Sequence, residues 1–341
     1  ALGYTTAQIG VSSFVDATTA NLQNGFDIVN QRVIREDGLV KTLRRLGHDF
    51  PAYFIQAIEE RLTNRLFQAF YIDTVVNPFT AVTEAASWQD DRRRMDDLLT
   101  FLDNSSEPVF VHVHLMGTHG GTFAPPERVF SAGEDQTENW MTDFYDDAIL
   151  TYDAYIGELI AALKVKGQYD HTVLILYSDH AMKFESDERI PLLIHFPGDQ
   201  YAGRIQSNVQ NLDIAPTLLD YLGTATPDWM EGDSILQLEA QRRQPLFAVA
   251  TDATKLSKFE AAEALEISDR LVTSNYRFSA LQVLDCQRWY RLDLIQRQWT
   301  TGDVEPYMAP CAESELLEMA QIRQAALKFL ADQGYDTTLI P

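Results

Sequence analysis

Apolar residues recur at strand and helix spacings along the chain, and the two patterns alternate. Residues 173–177 are apolar throughout, which is typical of a strand buried on both faces within a parallel sheet. Residues 108–115 form a second such run, broken only by His112 and His114, whose alternate spacing places them on one face of the strand. Between the runs, apolar residues at three- and four-residue spacing predict a long helix from about 138 to 164.

The polar positions of this helix divide it into two faces. The predicted solvent face carries acidic residues, and the segment 90–94 of an earlier predicted helix is likewise assigned to a solvated surface. The predicted buried stripe comprises Met141, Tyr145, Ile149, Tyr152, Ile156, Leu159 and Leu163, and the acidic face comprises Asp143, Asp146, Asp147 and Asp153.

The remaining elements complete an alternating order of strands and helices. Further helices are predicted at 35–46, 52–70, about 95–102, 214–222 with Asp213 as N-cap, and 313–333, and further strands at 190–196, 246–250, 270–273, 278–284 and 288–293. This order predicts an α/β domain over 1–244, built on a sheet of mostly parallel strands with helices on both faces, and a smaller α+β subdomain over 245–341.

Composition narrows the function classes. The chain has 341 residues, 45% of them hydrophobic, and a formal net charge of -23. Nucleic acid is excluded as a partner because phosphate binding needs a basic face, and an anionic membrane surface is disfavoured for the same reason. No apolar run approaches the length of a membrane span. An anionic substrate therefore requires a local positive site, either a metal ion or clustered cationic side chains.

The ends and the cysteines leave questions open. The sequence begins at Ala1, without Met and without a visible signal peptide, within what reads as structured sequence, so we expect a fragment of a longer protein. Cys286 and Cys311 either pair in an oxidising compartment or are both reduced. Neither cysteine is assigned a catalytic role.

The first candidate chemistry lies where the strand 173–177 stops, at Ser178, Asp179 and His180. In open α/β sheets, ligands bind just beyond the carboxyl ends of strands. An Asp followed by a His offers an oxygen and an imidazole nitrogen, which suit a divalent ion such as Zn or Mn. Alone, the dipeptide is better explained by a turn cap beside an ordinary loop histidine.

Several segments, taken in order, change that balance because together they resemble the sulfatase branch of the alkaline phosphatase superfamily. The segments are 2–10, 25–27, 108–119, 152–157 with 178–180, 188–194 with 196–198, and 213–223. The resemblance implies the fold of that superfamily and hydrolysis of sulfate esters with one divalent metal ion, of which Ca, Mn, Zn and Mg are the candidates.

Carried over residue by residue, the resemblance implies roles for specific side chains. Asp179 and His180 would be metal ligands. His119 would contact the transferred sulfate or phosphate or protonate the leaving oxygen, and Lys183 would neutralise an ester oxygen. His114 would lie behind the site, near the loop that carries His119. The substrate class implied is a small-molecule, glycan or lipid sulfate or phosphate ester.

The sequence departs from the sulfatase pattern in two places. Sulfatases place Asp-Asn where this chain has Asp179-His180, a form that resembles the phosphoethanolamine and phosphoglycerol transferase relatives, as does the loop 114–120. The nucleophile motif, Cys-x-Pro-x-Arg or a Thr, is absent, as are the Lys and His that follow Gly10 in sulfatases, where Val11-Ser-Ser13 stands.

Three hypotheses follow. The first is a metal-dependent sulfate ester hydrolase whose nucleophile segment is missing from these residues, so that the chain by itself is catalytically incomplete. The second is a transferase or phosphodiesterase relative of the same superfamily. The third is a degenerate member of the fold that binds a ligand without catalysis. The resemblance implies an extracytoplasmic or membrane-anchored parent protein, and the oligomeric state is left open.

Overall fold

The computed structural model describes residues 3–11, 15–17, 22, 25–33, 38–70, 88–182, 189–205, 207–237, 245–250, 278–304 and 311–340. The chain divides into two compact units, an N-terminal unit, Ala1–Tyr169, and a C-terminal unit, Asp170–Pro341. The boundary predicted at 244 stays a prediction. No helix within the described ranges has the length and apolar character needed to cross a membrane.

The N-terminal unit is built on a sheet of four strands in the order β3-β2-β1-β4. The strands are β1 (Thr5–Ile9), β2 (Ile28–Val29), β3 (Arg32–Val33) and β4 (Val109–Val113). Strand β1 pairs in parallel with both β2 and β4, while β2 and β3 form an antiparallel hairpin. The parallel pairing brings the carboxyl ends of β1 and β4 to one edge of the sheet, where Gly10 and His114 follow them.

Four helices accompany this sheet in the described part of the unit. They are α1 (Gly38–Arg45), α2 (Asp49–Phe70), α3 (Trp88–Asn104) and α4 (Thr142–Val165). The apolar face predicted for α2 is exposed where its side chains are described, with Phe54 56% and Leu62 59% exposed. An amphipathic pattern shows which residues share a face, and does not by itself show what covers that face.

The buried face of α4 differs from the predicted stripe. Phe144, Ala148 and Tyr155 are buried with Leu159 and Leu163, whereas Ile149 is 45% exposed. Asp147, which the sequence pattern assigned to the solvent face, is only 1% exposed. Its carboxylate accepts hydrogen bonds from the backbone N–H groups of Val129, Phe130 and Ser131 at 2.9–3.0 Å, and these bonds compensate its burial.

These hydrogen bonds give a testable dependence of stability on pH. Burial would raise the pKa of Asp147, but the bonds from the Ser131 hydroxyl and the three N–H groups outweigh it and lower the pKa to about 2. Because this folded-state pKa lies below the unfolded value, the stabilisation is present above about pH 4 and is lost as the pH falls through 2.

The measurement is urea unfolding of the wild type and Asp147→Asn from pH 6 downward. We expect the difference in unfolding free energy between the two proteins to shrink as the pH falls below about 4. A difference that stays constant down to pH 2.5 would show that this carboxylate is not preferentially ionised in the folded state.

The C-terminal unit contains a strand pair, a short helix and a second sheet. Strand β5 (Leu174–Tyr177) pairs antiparallel with β6 (Leu192–His195), so the parallel pairing expected for 173–177 was wrong. Residues Leu174 to Leu176 are partly buried, and Tyr177 is 41% exposed. A continuous apolar run reports burial, and it does not fix the direction of the neighbouring strand.

The second sheet forms the predicted smaller α+β portion of the chain. Strands β7 (Leu246–Ala250), β8 (Ala280–Asp285), β9 (Arg288–Asp293) and β10 (Gln298–Asp303) are antiparallel in the order β10-β9-β8-β7. Helix α5 (Ile214–Tyr221) precedes them and α6 (Met319–Asp332) follows. The core between this sheet and α6 includes Leu281, Val283, Leu292, Ile322 and Leu330, each 0% exposed. The predicted strand at 270–273 lies outside the described residues.

Cys286 and Cys311 form a disulfide in this unit. The question that the sequence left open is therefore resolved in favour of pairing. Cys286 lies in the turn between β8 and β9, and Cys311 precedes α6, so the bond joins two segments on either side of β9 and β10.

Candidate active site

The loop that follows β5 holds the predicted metal pair. The Asp179 side chain is 60% exposed and that of His180 is 31% exposed, so both are accessible to solvent. The loop is fixed by local hydrogen bonds: the Ser178 hydroxyl donates to the His180 carbonyl at 2.6 Å, and the His180 N–H donates to Asp179 Oδ1 at 3.1 Å. The turn therefore orients both side chains before any ligand binds.

The ring of His180 has a defined tautomer. Its Nδ1 lies 2.8 Å from the carbonyl oxygen of Ala181. Because a carbonyl oxygen only accepts hydrogen bonds, Nδ1 carries the proton, and in the neutral ring Nε2 is the nitrogen with the lone pair. A backbone carbonyl bonded to one ring nitrogen is the usual arrangement of histidines that ligate metal through the other.

The two donor atoms are suitably spaced for one ion. Asp179 Oδ2 and His180 Nε2 are 3.8 Å apart, which is less than the sum of two metal–ligand bonds of about 2.1 Å each. The pair thus fits two positions of a divalent site. Within the described ranges no group of three or more His, Cys, Asp and Glu residues that could hold a metal is present.

A second segment of the C-terminal unit holds this loop in place. Asn211 Nδ2 donates to the carbonyl oxygen of Ser178 at 3.0 Å. Asp213, 0% exposed, accepts from the N–H groups of Gln210 and Asp233 at 2.9 Å. Asp213 was expected to cap α5, but its side chain makes no cap hydrogen bond to that helix. Its carboxylate instead joins the turn that carries Asn211 to the segment around 233.

In the N-terminal unit, His114 lies at the carboxyl edge of β1 and β4. Its N–H donates to the Ile9 carbonyl at 2.8 Å. It sits against Gly10, where an added Cβ would come within 3.7 Å of the His114 Cβ and 2.5 Å of the Val15 carbonyl oxygen. The distance to His114 is an ordinary van der Waals contact, and the close approach to the Val15 carbonyl is what requires glycine at position 10. Asn30 also lies at this edge of the sheet, where its Oδ1 accepts a hydrogen bond from the Gly10 N–H at 2.8 Å.

His119 lies on the loop that follows β4. The His119 N–H donates to the Met116 carbonyl at 2.8 Å, which closes a four-residue turn. The start of the turn contacts Asp91 of α3, which is 1% exposed although the sequence pattern assigned it to the surface. Burial and the nearby Asp91 charge raise the pKa of the Tyr152 hydroxyl, which donates to this carboxylate at 3.0 Å.

The outcome for the predicted residues is mixed. Asp179 and His180 are brought together in one turn. His114 and His119 belong to the same strand–loop segment of the N-terminal unit, and their approach to the metal pair stays a prediction. Lys183 lies outside the described residues. His112 lies within β4 opposite Gln8, and burial lowers the pKa of its ring.

Sequence reasoning missed three residues of this arrangement: Asp91, Asn30 and Asn211. Each acts through a backbone group far away in the chain, at Met116, Gly10 and Ser178 respectively. A contact between a side chain and a distant backbone group leaves no periodic signal in a single sequence.

Comparison with known proteins gives two family matches. Residues 2–224 match the model of the sulfatase family, and residues 175–294 match the model of the C-terminal part of N-sulphoglucosamine sulphohydrolase. The first match spans more than half of the chain and covers the loop after β5, the strand β4 and the turn carrying His119.

Curated relatives match over shorter stretches. The chain is 35% identical over 105 residues to the extracellular sulfatase SULF-1 homolog of Drosophila melanogaster, covering 27% of this chain and 9% of that protein. It is 30% identical over 151 residues to arylsulfatase K of Bos taurus, covering 40% of this chain and 28% of that protein. The matches thus span less than a third of the length of either relative.

A solved structure supports the fold along nearly the whole chain. Phosphonate monoester hydrolase SpPMH from Silicibacter pomeroyi superposes with a TM-score of 0.53 at 16% identity, covering 98% of this chain and 79% of that chain. Likeness at this identity shows the fold alone. The predicted class, an α/β fold of the alkaline phosphatase and sulfatase type with a smaller α+β portion, is confirmed.

Proposed function

The chain belongs to the sulfatase family, and we propose that it forms part of a metal-dependent hydrolase of sulfate esters. The observation that carries this proposal is the turn after β5. It presents Asp179 and His180 side by side, with the His180 ring fixed by the Ala181 carbonyl. The sulfatase-family match covers this turn, which supports a metal-binding role for the pair that an Asp-His dipeptide alone would not support.

In this proposal, Asp179 Oδ2 and His180 Nε2 hold one divalent ion together with ligands outside the described residues. When bound, the ion polarises the ester oxygens and stabilises the charge that develops on them. The oxygen donor suits Ca, Mg and Mn, and the imidazole suits Zn and Mn, so the pair leaves the identity of the ion open. The turn contributes by holding both donors in place before binding.

His119 and Lys183 act on the substrate in the same proposal. His119 contacts the transferred group or donates a proton to the leaving oxygen, a role suited to imidazole near neutral pH. Lys183 neutralises an ester oxygen. In a chain with a formal net charge of -23, such local cations are needed to hold an anionic ester.

The nucleophile lies outside these residues in our proposal. The sequence has two cysteines, and both are in the Cys286–Cys311 disulfide, which leaves no cysteine thiol for attack. In this proposal the chain by itself lacks the attacking group of a sulfatase. A disulfide is also typical of proteins from oxidising compartments, which supports the extracytoplasmic or membrane-anchored parent protein that the family resemblance implied.

The proposed substrates are sulfate esters of sugars or lipids. One matching model is named for a sulphohydrolase of N-sulphoglucosamine, in which the sulfo group is bound to nitrogen, so this match supports a sulfated sugar and not the ester bond. A second candidate activity, that of a phosphoethanolamine or phosphoglycerol transferase or a phosphodiesterase, is favoured by the Asp179-His180 dipeptide, which resembles transferase relatives rather than typical sulfatases. The third hypothesis, a non-catalytic binding module, is favoured by Val11, which stands where sulfatases carry Lys.

A substrate series separates these candidates. The intact gene product that includes residues 1–341 is assayed with an aryl sulfate, an aryl phosphonate monoester and an aryl phosphodiester that share one leaving group. We expect kcat/KM to be highest for the sulfate by at least about tenfold. A tenfold preference requires only that the transition state of sulfate hydrolysis be stabilised by about 1.4 kcal/mol more than the others. Preference for either phosphorus ester would overturn the sulfatase proposal, and no turnover of any ester would favour the binding module.

A further inference from the structure

We propose that Asp91 is a positioning residue for His119, acting through the backbone of the loop that joins them. The inference rests on the proposed function, in which His119 contacts the reacting ester. Asp91 lies in the first turn of α3, and His119 lies in the turn after β4. The two residues belong to the same N-terminal unit.

The carboxylate of Asp91 holds the start of the turn. The N–H of Met116 lies 3.0 Å from each carboxylate oxygen, and the N–H of Gly117 donates to Oδ2 at 2.7 Å. The Tyr152 hydroxyl donates to Oδ2 at 3.0 Å, and the Arg94 guanidinium donates to Oδ1. The carboxylate is thus engaged by two successive backbone donors and two side chains at 1% exposure.

The turn packs closely against the side chains of Asp91 and Tyr152 at Gly117. A Cβ added at Gly117 would lie 3.1 Å from Asp91 Oδ2 and 3.2 Å from the Tyr152 hydroxyl. The turn then closes through the hydrogen bond from the His119 N–H to the Met116 carbonyl. Because the same residue, Met116, is held by Asp91 and accepts from His119, the position of the His119 backbone is set by the carboxylate.

A residue that positions a catalytic group affects the transition state more than substrate binding. A shift of about 1 Å in a reacting group is enough to lower the rate about a hundredfold. If His119 protonates the leaving oxygen, its displacement matters most for esters with poor leaving groups, which depend on that proton. A loss caused only by lower stability would be the same for every ester.

The chain offers a matched control in Asp147. It is also 1% exposed, lies on a helix and accepts from successive backbone N–H groups, in this case those of Val129, Phe130 and Ser131. The loop that it holds carries no predicted site residue. Asp91→Asn and Asp147→Asn remove the same charge and the same kind of hydrogen bond from two different loops.

The experiment compares both variants in the intact gene product, at a temperature where each is folded. We expect Asp91→Asn to lower kcat by roughly 10- to 100-fold with KM changed less than threefold, and to do so more for an alkyl than for an aryl sulfate. Asp147→Asn should lower Tm comparably and leave kcat unchanged. Equal losses of kcat in both variants, or an unchanged kcat in Asp91→Asn, would overturn the inference.

Two further measurements keep the test decisive. Tyr152→Phe keeps the ring but removes a donor to Asp91 and an acceptor for the N–H groups of Gly117 and Thr118. We expect a severalfold lower kcat, whereas an unchanged kcat counts against the inference. Amide hydrogen exchange of residues 116–119 should accelerate at least about tenfold in Asp91→Asn, but not in Asp147→Asn. Unaltered exchange there overturns the positioning role even if the protein hydrolyses no sulfate ester, in which case the proposed function fails separately.

Discussion

Replacing Asp179 with alanine is expected to lower kcat/KM for sulfate esters roughly a thousandfold in the intact gene product. A metal ion acting on ester oxygens contributes several kcal/mol to transition-state stabilisation, and each 1.36 kcal/mol corresponds to a factor of ten. In the proposed site Asp179 supplies one of the two donor atoms, 3.8 Å from the other on His180. Its side chain is 60% exposed, so its removal should change the free energy of unfolding little.

The matched control is Asp199→Ala. Asp199 Oδ1 also lies 3.8 Å from a histidine nitrogen, Nδ1 of His195, and its side chain is 86% exposed. This Asp–His pair has the same separation and lies in the same unit, but the family resemblance assigned no role to it. We expect the control to keep at least half of the wild-type activity. If Asp179→Ala kept more than about a tenth of the activity, the metal assignment at this turn would be wrong.

Reduction of the Cys286–Cys311 disulfide is expected to lower the free energy of unfolding by about 3 kcal/mol. The bond closes a loop with a sequence separation of 25, and the entropy of the unfolded chain rises when that loop is opened. The loop contains β9 and β10 of the antiparallel sheet, including Leu292 of its core. Loss of about 3 kcal/mol corresponds to a factor of more than a hundred in the unfolding equilibrium.

Urea unfolding with and without dithiothreitol measures this effect, with the double variant Cys286→Ser/Cys311→Ser as control. The double variant should match the reduced wild type and should not respond to reductant. In the folded double variant, the backbone at positions 286 and 311 should stay in place. The Asn208 side chain donates to the Cys286 carbonyl, and the Cys311 N–H donates to Gln287 Oε1. An unfolding curve that is insensitive to reductant would contradict the disulfide.

The sequence predicted the elements of the fold well where burial follows a period. The strands at 246–250 and 288–293 have the predicted bounds, and α4 begins and ends within a few residues of its predicted limits. Strand β10 was not predicted, because its sequence, Gln-Trp-Thr-Thr-Gly-Asp, is mostly polar and exposed and shows no apolar pattern. It pairs antiparallel with β9. The direction of β5 was also beyond the pattern, since pairing depends on a partner strand.

In the candidate site, too, some residues were predicted from the sequence and others were not. The Asp179-His180 pair was proposed because several segments in order resemble the sulfatase family, since the dipeptide after an apolar strand was not sufficient by itself. Asp91, Asp147 and Asp213 were assigned to solvent or to a helix cap, yet each is buried and bonded to backbone N–H groups of remote loops. A buried carboxylate and a surface carboxylate have the same sequence signature when the compensating donors come from the backbone.

The most direct test of the central claim is the divalent metal content of the purified intact gene product, measured by elemental analysis beside Asp179→Ala and Asp199→Ala. We predict about one ion per chain in the wild type and in Asp199→Ala, and a loss of most of that metal in Asp179→Ala, because a site with one donor fewer binds far more weakly. A wild type without bound metal, or equal metal in all three proteins, would contradict a metal site at Asp179 and His180.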